Sequence, residues 1–96
     1  MNERDHRLES SFARIAAEFL QGEANSDPLI TVTRCQLGDR GRIATIFVSV
    51  LPAEKSEHVM NYLRRKRSDL RAYAMTHIRT HTIPTFEFLL DPDTYL

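Results

Sequence analysis

Apolar residues recur at Leu8, Phe12, Ile15, Ala16, Phe19 and Leu20. That spacing is one face of an α-helix, and it predicts a helix over about residues 4–21. Arg7, Ser11, Arg14 and Glu18 fall on another face, with Arg14 and Glu18 four apart, the spacing of a stabilising ion pair. Gly22 is the expected stop. A polar link, Glu23 to Pro28, follows and closes on the turn signal Asp27-Pro28.

The pattern then changes period. Residues 30–37 are rich in β-branched side chains and read as a strand. Its alternation is broken: Ile30 and Val32 share one parity, Cys35 and Leu37 the other. A bulge or a strand buried on both sides accounts for this equally well. Gly38-Asp39-Arg40-Gly41 is a turn, and residues 42–51 form the second strand, with Ala44, Ile46, Val48 and Val50 expected inward and Thr45, Phe47 and Ser49 outward. So short a link makes the pair an antiparallel hairpin.

After Pro52 the helical period returns. Val59 and Leu63 begin an apolar stripe that is interrupted by charge near Lys66 and Arg67 and resumes at Leu70, Tyr73, Ala74 and Ile78. This predicts two helices, about 54–66 and 69–80, joined by a kink at Lys66-Arg67-Ser68. Ser68 is placed to cap the second helix, and Asp69 to sit at its positive N-terminal end. Ile83 precedes Pro84, so helix ends before it. Phe86, Phe88 and Leu90 alternate with Glu87 and Leu89 in a third strand, 84–91, stopped by Asp91-Pro92-Asp93. The order α-β-β-α-α-β implies one α+β domain over residues 1–96: a three-stranded sheet with helices on one face.

Composition narrows the function. Thirteen basic residues balance thirteen acidic ones, yet between His58 and Thr82 six side chains are Arg or Lys and only Asp69 is acidic. A neutral chain that gathers charge in one segment presents a cationic surface, which points to a polyanion, RNA first among them. Eleven of the thirteen basic residues are Arg, whose planar fork suits phosphate. The single Cys35 cannot form an internal disulfide and reads as a small core residue of a protein in a reducing compartment. The mixed charges of Met1 to Asp5 do not resemble a signal peptide, and no apolar run approaches a membrane span. His77 and His81 lie four apart, a metal-ligand spacing, but no third ligand is evident. No phosphate loop, nucleophile elbow or acid/base pair stands out.

The element order is that of type II KH domains. The chain resembles the ribosome-binding factor A family in particular, from Arg7 to Asp91. The likeness rests on Arg7-Leu8 … Phe12 … Ile15-Ala16 … Leu20, on Asp27-Pro28 and on Ile30-Thr31-Val32-Thr33-Arg34. It continues in Ala44-Thr45-Ile46-Phe47-Val48-Ser49-Val50, Leu70-Arg71 and Ile83-Pro84-Thr85-Phe86-Glu87-Phe88 … Asp91. Departures occur where the family has an Ala-x-Gly kink and this chain has Lys66-Arg67-Ser68, at Thr80-His81, at Gly38 and Arg40 in the hairpin turn, and in the lack of a C-terminal tail after Leu96.

The resemblance implies a bacterial, cytoplasmic, non-enzymatic factor, monomeric and without cofactor, metal, membrane or small-molecule substrate. Its partners would be the small ribosomal subunit and its rRNA, and its task late subunit maturation, including rRNA processing. A KH-like protein for another RNA, and a protein-interaction module with a basic face, are the rival readings. The residues expected to meet RNA are Arg64, Arg65, Lys66, Arg67, Ser68, Arg71, Arg79 and His81. Arg64, Arg67 and Arg71, at i, i+3 and i+7, would share one helical ridge. Phe47, on the open face of the hairpin, is expected to pack against a long neighbouring side chain; stacking on a base is the alternative.

Overall fold

The computed structural model describes residues 3–23, 28–80 and 82–93. The first helix, α1, runs Glu3–Glu23, so Gly22 lies within its last turn rather than ending it. Of the expected link, residues 24–27 lie outside the described residues. Arg14 Nη1 donates to Glu18 Oε1 at 3.1 Å, as the spacing predicts.

Strand β1 (Leu29–Gly38) pairs antiparallel with β2 (Ile43–Leu51), with Leu29 opposite Leu51 and Gly38 opposite Ile43. The register shifts between Val32 and Arg34. This bulge resolves the broken alternation: one extra residue, Thr33, lets Ile30, Val32, Cys35 and Leu37 all face the core. The Thr33 hydroxyl is within reach of two acceptors, Asp91 Oδ2 at 2.6 Å and the Phe47 carbonyl at 3.2 Å. It thereby ties the bulge to the end of the third strand.

The hairpin turns through Asp39, Arg40 and Gly41, all with positive φ (49°, 58° and 84°). Two non-glycine residues in this region are uncommon and cost energy. At Gly41 an added Cβ would meet nothing within 4 Å, so the constraint is conformational, not steric crowding. Gly41→Ala is therefore expected to cost about 1 kcal/mol. Gly22→Ala, on helical backbone and equally uncrowded, should gain about 0.5 kcal/mol. Thermal unfolding should move the two midpoints in opposite directions.

A short 3-10 turn, Ala53–Lys55, leads into α2 (Ser56–Arg65), which starts two residues later than the expected 54. The next helix, α3, spans Arg67–His77. The expected helix to residue 80 stops early because Ile78 is extended (φ −142°, ψ 142°). The last helical bond is Ile78 N–H to the Ala74 carbonyl at 3.1 Å, and His77 Nδ1 lies 2.8 Å from the Tyr73 carbonyl in the same turn. Ile78 still packs on the core, but from extended backbone.

Strand β3 (Thr85–Leu90) joins β2 in parallel, Ala44 opposite Phe86 and Val48 opposite Leu90, giving the sheet order β1-β2-β3. The inner sheet face and the helices form one core. Ala44, Ile46, Val48 and Val50 are fully buried there with Phe12, Ile15, Leu63, Leu70, Phe86 and Phe88. Phe12 and Phe86 meet edge to face, centroids 5.6 Å apart. Cys35 is part of this core; burial first, and the Glu9 carboxylate second, push its thiol up to about 12. It therefore stays protonated and unreactive at neutral pH.

Phe47 is on the outer face but is not open to a base. The Arg34 guanidinium covers its ring at 3.9 Å from the centroid, and the residue is buried. Asp91 anchors the same side. The Thr33 hydroxyl, the Asp93 N–H at 3.0 Å and nearby Arg34 hold its carboxyl below the usual range.

Candidate nucleic-acid interface

The two helices break at one residue. Lys66 lies between them with φ −95° and ψ 1°, a conformation open to any L-residue. Its N–H bonds the Leu63 carbonyl at 2.9 Å, and its carbonyl already accepts from Leu70 N–H at 2.9 Å. The kink thus needs no glycine, which explains how Lys66-Arg67-Ser68 serves where the resembling family has Ala-x-Gly. It also corrects the expected cap. Because α3 restarts immediately after Lys66, Ser68 lies inside its first turn, and the α3 N-cap residue, Lys66, makes no side-chain cap bond. Asp69 does sit in that first turn, 3.7 Å from Lys66 Nζ.

The cationic side chains do not form the single ridge that their spacing suggests. Arg64 is exposed and donates to Asn61 Oδ1 at 2.9 Å. Arg65 is exposed, with no carboxylate partner among the described residues. Lys66 is held by Asp69 and lies over the Tyr62 ring at 5.7 Å. Arg67 turns away from the helix surface. Its Nε bonds the Arg64 carbonyl at 3.0 Å, and its Nη1 reaches Glu87 Oε2 on β3 at 2.8 Å. Arg71 bonds the Ile83 carbonyl through Nη2 at 3.2 Å.

Of the predicted residues, then, Arg64 and Arg65 are presented outward at the junction. Lys66 and Arg67 are beside them but already paired, and Arg71 braces the segment before β3. Arg79 lies beyond the far end of α3, apart from the junction. His81 lies outside the described residues. His77 stacks on Tyr73 with centroids 3.9 Å apart. No group of three metal-ligating side chains occurs among the described residues. No helix among them is long and apolar enough to cross a membrane.

Sequence reasoning missed the partners Glu87 and Ile83, and also a second gathering of arginines, in which Arg79 lines one groove with Arg4 and Arg7. Nothing in a local sequence window signals contacts between positions so far apart.

This α-β-β-α-α-β scaffold, with a mixed three-stranded sheet and a basic helix junction, is the KH-like class of fold. The sequence model of one family, Ribosome-binding factor A, matches residues 4–94. The chain belongs to the ribosome-binding factor A family. Ribosome-binding factor A of Fervidobacterium nodosum is 36% identical over 90 residues, spanning 88% of this chain and 72% of the relative. The crystal structure of ribosome-binding factor A from Thermus thermophilus superposes with a TM-score of 0.77 at 28% identity, covering 90% of this chain and 94% of that one. Coordinates of the Thermus thermophilus factor as fitted into the cryo-EM map of a 30S complex share the fold, with a TM-score of 0.75 at 23% identity. They cover 93% of this chain and 97% of that one.

Proposed function

We propose that this chain is a non-enzymatic assembly factor that binds the small ribosomal subunit through its rRNA, as a monomer in the cytoplasm, and assists late maturation, including rRNA processing. Family membership and the 30S complex of the Thermus thermophilus relative support the partner. The observation that carries the RNA contact is the pair of exposed guanidiniums, Arg64 and Arg65, beside the break between α2 and α3.

Such contacts grip phosphates and set the position of the protein; they read no base sequence. The factor would act by binding one rRNA conformation better than another, which shifts the population without bond chemistry. Two phosphate contacts correspond to a slope of about −1.4 in log K against log salt for single-stranded RNA.

The test has two parts. In gradient sedimentation of a cell extract, the protein is expected with small subunits. Affinity for purified small-subunit rRNA should fall with salt at a slope of about −1.4 or steeper. Absence from small-subunit fractions, or binding indifferent to salt, would overturn the reading.

A further inference from the structure

Beyond the helix junction, one further surface combines several cations, an open groove and few opposing acids. After α3 the chain turns back along the first half of α1. Between them lies a groove of about 550 Å³ lined by Arg4, Arg7 and Arg79, with Ser11 beside them. Leu8 and Ile78, half-buried and packed on the core, form its base. We propose that this groove is a second contact for the RNA phosphate backbone, separate from the α2–α3 junction. The inference rests on the RNA-binding reading above and extends it to a second site.

The charge balance supports an anion. Among the described residues, none lining the groove is acidic. The nearby acids are Glu3 and Asp5. Glu3 Oε1 lies 3.4 Å from Arg7 Nη2, but both side chains are more than three-quarters exposed, so that pair is weak and yields readily to a phosphate. Asp5 faces a smaller adjoining recess of about 250 Å³, where Arg4 and Arg40 also lie. Arg40 is one of the two non-glycine residues held at positive φ in the hairpin turn, and this conformation sets it at that recess. Arg4 and Arg79 are exposed and have no carboxylate partner among the described residues.

Chemistry and reach both favour phosphate. Guanidinium forks offer paired donors, and the Ser11 hydroxyl adds another. Helix α3 has 11 residues, and at about 1.5 Å per residue it sets the groove roughly 16 Å from the junction. An extended single strand covers that distance with only a few phosphates. A third depression, lined by Arg71 and Met75, shares Ile78 and Thr80 with the groove and lies between the two ends. One strand can therefore follow α3 and be held at both ends.

The experiment measures binding of fluorescein-labelled oligouridylate, about twenty nucleotides long, across a salt series. Three proteins are compared: the unaltered chain, Arg4→Gln with Arg79→Gln, and Arg64→Gln with Arg65→Gln. With five contacts, Arg7 included, the unaltered slope should be about −3.5, and each double variant should lose about 1.4 of it and about tenfold in affinity. Unchanged thermal midpoints confirm that the variants are folded, and Arg4→Lys with Arg79→Lys should keep the slope.

If the Arg4/Arg79 variant binds like the unaltered chain while the Arg64/Arg65 variant is weakened, the groove proposal is wrong and the junction stands. If neither variant loses affinity, the RNA-binding reading fails as well. Polyglutamate serves as the competing ligand. If the Arg4/Arg79 variant loses polyglutamate binding but keeps RNA, the groove serves an acidic protein segment and the proposal is overturned.

Discussion

Phe86→Ala is expected to cost about 3–5 kcal/mol, a large share of the total stability of a domain this size. Phe86 is 1% exposed and meets the ring of Phe12, itself 1% exposed. Its neighbour on β2 is Ala44, which is too small to fill a void. Removing the ring therefore leaves a cavity between two rigid elements, and the loss of transfer energy is compounded by lost contacts. Chemical denaturation should report the difference, and the thermal midpoint should fall by on the order of 20 °C. Leu89→Ala is the comparison. Leu89 is half exposed on the outer face, so its loss should stay under about 1 kcal/mol. Equal effects at the two positions would mean that the inner face of β3 is not the packed one.

The inner and outer faces were legible because strands alternate with a fixed period. Ala44 to Val50 shows that period without a break, and every inward assignment there coincides with a buried side chain. The conflict of parity in β1 had two explanations, and the bulge at Thr33 is the one realised. Local sequence could not choose between them, because the feature depends on Asp91, 58 residues away, accepting the Thr33 hydroxyl. Helix ends were less legible for a similar reason. Leu70, Tyr73, Ala74 and Ile78 fit a continuous stripe, and only the return of the chain toward α1 shows that Ile78 reaches the core in extended form.

For the interface, the sequence located the charge but not its availability. Periodicity places Arg64, Arg67 and Arg71 together, yet it carries no information about acceptors on another element. Two of these three side chains are engaged by β3 and by the segment before it. Arg79 stands out in the sequence for its charge alone. Its neighbours Arg4 and Arg7 come from the opposite end of the chain, so only the fold unites them.

Glu87 is therefore the residue whose removal should improve binding. Glu87→Gln takes a negative charge from the edge of the junction and releases Arg67 Nη1 from its 2.8 Å ion pair. Both partners are about two-fifths exposed, so the pair contributes no more than about 1 kcal/mol to stability. A freed guanidinium that bonds a phosphate is worth roughly 1.5–3 kcal/mol, so RNA should bind roughly 10- to 100-fold more tightly. The salt slope should steepen by about 0.7, one contact's share. The decisive control is Arg67→Gln combined with Glu87→Gln. If Arg67 is the released group, the double variant loses the gain, and the non-additivity measures the new contact. A gain that persists without Arg67 would reflect net charge alone, and no gain in either variant would remove β3 from the interface.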